Sequence, residues 1–408
     1  MSEQQWLTKK QMDAFEECLK EVGIGNYTLR FSPGVDGEEN MGGLIIKADV
    51  LDRTKTDESV TNFILKCSPP SKILRSTIPV KDIYNIEIYI YSTVFPEFTR
   101  IQKEKNIRNP FTSYPRFYKS LNDDGEEMLV LQNVKMLGYK HRDRHQPLDY
   151  DHILSIIKQY AKLHALSYAI RNQKPELFEN FEKNMQNHFF GDFNFGGLVV
   201  NINQRTINAL KALDPVKDDL FYDRFSYFAE NPTKVLKNLI HSTSRNKVIS
   251  HINCGISNLL FKYQDASNTP SDAILLDWQH TRMDSPAVDL VTFVFSAGDK
   301  STIEHFDDLV LEYYRCLCSF LKELGSDPEK ILPYAVLLEE LKTYGIVGLF
   351  MANVLIYGYE TPTLSDVLHD ESHKEGFSFM YELRDRTSYD RRVRDAICHF
   401  HNLGYNFH

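Results

Sequence analysis

The spacing of apolar positions changes about a third of the way along this chain. Residues 6–23 alternate apolar and polar positions at helical spacing and stop near Gly23 and Gly25, which predicts a first helix. From Tyr27 to Lys66 the pattern turns extended. Leu44–Val50 and Thr61–Lys66 are apolar or β-branched runs separated by the polar stretch Asp52–Ser59, a hairpin signal. Val80–Phe95 carries Ile83, Ile86, Tyr89, Ile90 and Val94 on one stripe, which predicts an amphipathic helix. Pro115–Tyr118 and Met128–Gln132 flank the turn-forming residues Asn122–Gly125 and predict a second hairpin. From Asp149 the pattern is mostly helical. Tyr150–Ile170 places Ile153, Ile157, Tyr160, His164 and Tyr168 at steps of three and four. A strand pair, one strand near Val248–Lys262 and the other at Ile274–Trp278, interrupts the helices, which then resume to the C-terminus. A β-rich first third before an α-rich remainder predicts an α+β, bilobal fold. The boundary is expected near Asn133–Gly138, giving lobes 1–134 and 135–408.

Composition narrows this picture. The chain has 408 residues, 42% hydrophobic and 12% aromatic, enough for substantial buried cores and unlike a disordered chain. A net charge of −9 argues against a nucleic-acid-binding surface. The basic clusters Lys140–His145 and Arg384–Asp395 are broken by acids and read as solvated or salt-bridged faces. The N-terminus, MSEQQWLTKKQMDAF, has no apolar signal-peptide core. The longest apolar run, Gly345–Tyr359, contains Asn353 and three glycines. It falls short of the ~20 residues of a membrane span and reads as a buried helix. Six cysteines lie scattered without CxxC spacing, signalling neither a disulfide framework nor a zinc site. The expectation is a cytoplasmic protein without a membrane span, and the Asn26 glycosylation sequon is taken as chance.

The chemistry concentrates in Val248–Lys262, VISHINCGISNLLFK, read with Leu275–Gln279, LLDWQ. His251 is followed two positions later by Asn253 and five further on by Asn258. Asp277 ends the next apolar run. This is the frame of the H-R-D-x-x-x-x-N loop and its later metal-binding Asp in phosphoryl transfer. Such chemistry needs positioned metal ions, cations on the phosphates and an oriented hydroxyl. Lys66, near the end of an apolar strand, is the candidate phosphate-binding cation. Glu87, in the apolar IYNIEIYIY helix, is its candidate partner, the alternative being two surface residues. Gly37–Gly43 lies between strands, where glycines permit close backbone approach to phosphates or simply form a tight hairpin. Asn258 and Asp277 supply the hard oxygen donors that suit Mg²⁺, or else are turn formers. His251 is expected to orient the loop rather than react, and His164 to be a satisfied core histidine. Asp289 is expected to cap the following helix and brace the loop. Asn253 is the departure, because an amide is no base at neutral pH. It retains the capacity to orient a hydroxyl by hydrogen bonding.

Taken together these residues resemble the insect ecdysteroid-kinase-like (CHK kinase-like) proteins, relatives of choline kinases and aminoglycoside phosphotransferases. The resemblance covers nearly the whole chain and implies a protein-kinase-like fold. Gly37–Gly43, including Asn40, is similar to the family's glycine-containing GxNxxS-like segment. Lys66 is similar to its strand lysine, and Glu87 with Tyr91 to its E-x-x-x-Y helix. Leu129–Val134 resembles the hinge LVLEDL, which places Gln132 and Val134 beside the nucleotide. Leu163–Ser167 resembles the LHA-x-S helix end. His251–Asn258 resembles the HGD-x-W-x-NN loop, Asp277–Gln279 the DFQ or DWQ segment, and Pro286–Leu290 the PA-x-DL segment. The resemblance implies ATP and Mg²⁺ as cofactors and a hydroxylated lipophilic acceptor, ecdysteroid-like or a toxin. That acceptor is expected near His188–Phe195 and the Gly345–Tyr359 helix. The departures cluster: Gln132 and Asn133 replace the hinge acids, and Ile252, Asn253 and Gly255 replace the loop's Gly, Asp and Trp. Ser257 replaces its first Asn. This pattern implies retained nucleotide and metal binding with weakened chemistry, so a pseudokinase stands as the alternative.

Overall fold

The computed structural model describes residues 6–34, 43–53, 60–69, 75, 79–185, 202–241, 244–264, 268–361 and 383–408. Gly37, Asn40 and the stretch His188–Phe195 therefore lie outside the described residues.

The first lobe is a five-stranded antiparallel sheet, β1 (Tyr27–Pro33), β2 (Leu44–Asp52), β3 (Val60–Cys67), β4 (Phe117–Leu121) and β5 (Met128–Gln132), in the order β1-β2-β3-β5-β4. Side chains alternate across a strand, and this alternation gives the sheet two different faces. Ile46, Ala48, Val50, Phe63, Leu65, Met128 and Val130 pack against Phe15, Cys18 and Leu19 of the first helix, Lys9–Glu21. That helix starts with a capping box between Thr8 and Gln11, which satisfies backbone donors at its N-terminus. The opposite face carries Lys66, paired with Ile45 and Leu129 in the ladder. Leu129 and Leu131 there join the larger core shared with the helical lobe.

The helix expected over Val80–Phe95 runs further. A π-helical turn at Ile90–Val94 links Val80–Tyr89 to a second segment, Phe95–Glu104. Pro96 follows the expected end, and proline ordinarily breaks a helix interior. Here it falls in the first turn after the π bulge, where its missing N–H costs little.

The helical lobe is built around long buried helices. Tyr150–Gln173 packs on Phe306–Glu323, and Pro286–Ala297 packs on Tyr334–Tyr359. Every residue of Pro286–Ala297 is buried. Gly348 allows the close approach: a Cβ there would lie 2.7 Å from the Val291 Cβ and 3.0 Å from the Val288 carbonyl oxygen. The apolar run expected over Gly345–Tyr359 extends to Tyr334. By length and composition the stretch is thus sufficient to cross a membrane, but two-thirds of it is buried inside the fold, as in a core helix. Two short two-stranded antiparallel sheets complete the lobe. One pairs β6 (Val248–Ser250) with β9 (Arg282–Asp284), the other β7 (Leu259–Tyr263) with β8 (Pro270–Leu275). The architecture is α+β and bilobal, as the pattern predicted.

Candidate functional site

Three charged side chains meet where the lobes face each other. Lys66 projects from β3, Glu87 from the Val80–Tyr89 helix, and Asp277 follows β8. The Lys66 Nζ donates to Glu87 Oε2 at 2.6 Å and pairs with Asp277 Oδ1. All three are buried, at 4%, 1% and 8% exposure, so Glu87 is more deeply buried than its apolar flanks suggested. Glu87 Oε1 also accepts the Trp278 N–H at 3.3 Å, tying the helix to the Asp277 segment. Burial alone would lower the Lys66 ammonium, but Asp277 and Glu87 outweigh it and hold it above the ordinary lysine value. Burial would raise the Asp277 carboxyl, but Lys66 and His280 hold it below the usual range. Burial raises Glu87, which also feels Asp277, although Lys66 opposes the rise. The cluster therefore carries one lysine against two carboxylates, and Asp277 is the more firmly ionised of the two.

The loop that faces Asp277 is held from behind. Asp289 accepts the N–H groups of His251 (2.9 Å) and Ile252 (2.8 Å), and the His164 Nε2 at 3.1 Å. His164 also bonds the Tyr313 hydroxyl at 2.8 Å, the satisfied core histidine that was expected. The capping role expected of Asp289 belongs to Ser285, whose Oγ accepts the Ala287 N–H at 3.3 Å. Pro286 occupies the first helical position, so Asp289 lies a turn inside the helix and reaches outward to the loop instead. Its bonds hold Ile252 at φ +67°. Such backbone costs an L-residue roughly 1–2 kcal/mol and is unusual for a β-branched one. Asp277 is also left-handed, at φ +66°.

His251 links loop and carboxylate without facing solvent. Its Nε2 lies 3.0 Å from the Leu276 carbonyl oxygen, and its ring packs on Trp278 at 4.4 Å between centroids with a 57° tilt. Burial lowers its proton affinity, against the pull of Asp289 and Asp277. It therefore stays neutral and positions the Asp277 segment.

Asn253 turns its Nδ2 to Asp277 Oδ2, donating at 3.0 Å, which leaves its amide oxygen as the end able to accept from a hydroxyl. Gln279 Nε2 donates to the same Asp277 oxygen at 3.2 Å. Asn258 Nδ2 donates to the Asn253 carbonyl at 2.8 Å, which leaves the Asn258 amide oxygen as its ligand-binding end. A divalent magnesium ion takes hard oxygens, and commonly one or two protein side chains complete its shell with phosphates and water. Asp277 and Asn258 fit that donor chemistry. Among the described residues no group of three or more His, Cys, Asp or Glu is placed to hold a metal by itself.

The segment expected to serve as hinge, Leu129–Val134, lies at the end of β5. Gln132 donates its N–H to the Arg116 carbonyl at 2.9 Å, and Val134 opens a short 3₁₀ turn, Val134–Leu137. Val134, Tyr139, Leu260 and Ile274 form a small apolar cluster apart from the two main cores. Reciprocal backbone bonds between Lys140 and Phe261, both 2.9 Å, fasten the hinge to β7. Two residues were missed by sequence reasoning. Gln279 stood inside a stretch already singled out, but its contact depends on the turn at Asp277. Tyr359 accepts the Ile256 N–H at 2.9 Å from 103 positions away, and a Cβ at Gly255 would lie 3.0 Å from its hydroxyl. No local pattern signals such a contact.

Comparison with known proteins adds an independent result. The model of the ecdysteroid kinase-like family matches residues 37–326. No curated protein matches the chain. Among solved structures, an ethanolamine kinase of Plasmodium vivax is similar over 96% of this chain and 84% of its own, with 12% identity and a TM-score of 0.43. A GDP complex of aminoglycoside 2'-phosphotransferase-IIIa is similar over 92% of this chain and 98% of its own, with 12% identity and a TM-score of 0.37.

Proposed function

The chain belongs to the ecdysteroid kinase-like family, and on that premise we propose that it is an ATP-dependent small-molecule kinase acting on a hydroxyl of a lipophilic acceptor, ecdysteroid-like or xenobiotic. The observation that carries this reading is the buried Lys66–Glu87–Asp277 cluster. A lysine with two carboxylates in a cleft has no evident value as a stabilising device, since buried ion pairs at best roughly break even against apolar packing. Perturbed, clustered ionisable groups are a signature of functional sites.

In this reading residues 1–134 form the nucleotide lobe and 135–408 the catalytic lobe. Lys66, fixed by Glu87, would sit on the nucleotide phosphates. Gly37 and Asn40 belong to the proposed phosphate loop, Gln132 and Val134 to the base-binding hinge, and Val134, Leu260 and Ile274 supply its apolar floor. Asp277 and Asn258 would hold Mg²⁺, which when bound would neutralise charge on the phosphate oxygens. His251 positions the loop. Asn253 is at the place where a base would stand. General-base help is worth about 10²–10⁴-fold, so turnover without it is slow rather than forbidden in a reaction dominated by positioning. The acceptor is placed against the helical lobe near Gly345–Tyr359. Phe350 and Ile356 on that helix border, with Phe225 and Phe228, an apolar void of only about 10 Å³, too small for such an acceptor unless the helices part. A cytoplasmic location follows from the same reading.

One observation favours a second reading. An Asn253 amide N–H is turned to Asp277 and no carboxylate stands at that loop position, which suits a pseudokinase that binds nucleotide or ligand with little transfer. Incubation with γ-labelled ATP and a panel of ecdysteroids and lipophilic alcohols separates the two. Label transferred to an acceptor, and lost in Asp277→Ala, supports the enzyme. Transfer by Asn253→Asp alone would leave the native chain a pseudokinase.

A further inference from the structure

Asp277 is engaged on both carboxylate oxygens by the protein's own donors. Its Oδ1 takes the Lys66 ammonium, and its Oδ2 takes the amide N–H groups of Asn253 at 3.0 Å and Gln279 at 3.2 Å. Formal charge in the cluster is one positive, on Lys66, against two negative, on Glu87 and Asp277. An aspartate at position 253 would put a second carboxylate at hydrogen-bond distance from Asp277. Like charges that close do not both ionise without a cation or a shared proton. With the amide, that repulsion is absent and an attraction stands in its place. Arg282, further along the segment, is paired with Asp284 at 2.6 Å.

Resting on the kinase reading of this site, we propose that Lys66 and Asn253 together substitute for a divalent cation at Asp277. The nucleotide cleft is then assembled in cation-free protein, and ATP binding here depends little on Mg²⁺. Asn253 is a positioning residue for Asp277 in this scheme, and its main effect falls on cation binding rather than on a proton. A cation arriving at Asp277 meets no second loop carboxylate, relieves only the Glu87–Asp277 repulsion that Lys66 leaves, and must displace bonds already made.

Two binding measurements on the full chain test this without turnover. The first titrates Mn²⁺ alone and counts free ion by electron paramagnetic resonance. Native protein should bind Mn²⁺ at least about tenfold more weakly than Asn253→Asp, which restores an acidic oxygen donor. Asn253→Ala, which removes one of the two donors on Asp277 Oδ2 without adding charge, should fall between them and serves if Asn253→Asp does not fold. Equal Mn²⁺ affinity in native protein and both variants would overturn the proposal. The second measures ATP affinity by calorimetry in EDTA and in Mg²⁺. Native protein should change by less than about threefold, and Asn253→Asp by about tenfold or more. A native affinity that rises tenfold with Mg²⁺ would also overturn it. No ATP binding in any condition would sink the kinase reading instead, and the Mn²⁺ titration would still decide the present one.

Discussion

Lys66 is the residue on which the site turns, because it compensates two buried carboxylates at once. Replacing it with methionine leaves Glu87 and Asp277 facing each other without a cation. Removing one partner of a buried pair costs about 3–5 kcal/mol, so Lys66→Met should lower the urea unfolding midpoint strongly. Glu87→Gln leaves a neutral Lys66–Asp277 pair and should cost clearly less. Equal stabilities for the two variants would contradict the charge account. Lys66, Glu87, Asn258 and Asp277 were legible in the sequence because each stands at a recognisable local position: near a strand end, within an apolar helix stripe, or in a spaced loop. What Asn253 does was not legible. Its identity could be read, but the direction of its amide is fixed by Asp277, 24 positions away, and by the left-handed turn that aims that carboxylate.

At the scale of elements, the site depends on how helices from the second lobe reach the loop. Gly348 lets Tyr334–Tyr359 settle onto Pro286–Ala297, the helix that carries Asp289. The 2.7 Å approach to the Val291 Cβ leaves no room for a methyl group. Gly348→Ala should therefore cost about 1–3 kcal/mol by overpacking, measured by chemical denaturation. An unchanged midpoint would mean that the helices part easily. At the far end of the same helix, Tyr359→Phe removes the acceptor of the buried Ile256 N–H. An unsatisfied buried donor costs roughly 1–3 kcal/mol, and hydrogen exchange at Ile256 should accelerate more than in the first-lobe sheet. Uniform exchange rates would argue against a local role. The elements themselves were mostly readable, since strand alternation and helical stripes follow from burying one face. The π turn before Pro96, the Ser285 cap and the full length of Tyr334–Tyr359 were not. Each depends on which neighbour an end packs against, and local sequence spacing does not reveal that.

Over the whole molecule, one buried imidazole, His251, and two half-buried ones, His280 and His399, couple folding to pH. Burial drives His280 down from the ordinary 6.5 to about 4, although Asp277 opposes it. Burial also lowers His251 and His399. Between those values the unfolded chain binds protons that the folded chain refuses. Stability is therefore fully present above about pH 6.5 and falls as pH drops toward 4. At 1.4 kcal/mol per unit, His280 contributes about 3 kcal/mol at most. The unfolding midpoint should drop between pH 7 and pH 5, and His280→Gln should flatten part of that drop. A midpoint constant over this range would contradict it. The two-lobed order was legible because the switch from extended to helical spacing is a long-range pattern. The meeting of Lys66 and Asp277 across 211 positions was inferred only from resemblance, since no spacing rule spans that distance.

The central claim is that Lys66, Glu87 and Asp277 form a working nucleotide cleft. Thermal unfolding of the native chain and of Asp277→Ala, each with and without ATP and with Mg²⁺ or EDTA, tests it most directly. The account predicts that ATP stabilises the native chain in Mg²⁺ and nearly as well in EDTA, and that the shift is reduced or lost in Asp277→Ala. No shift in the native chain under either condition would contradict it and leave the cluster without a nucleotide-binding role.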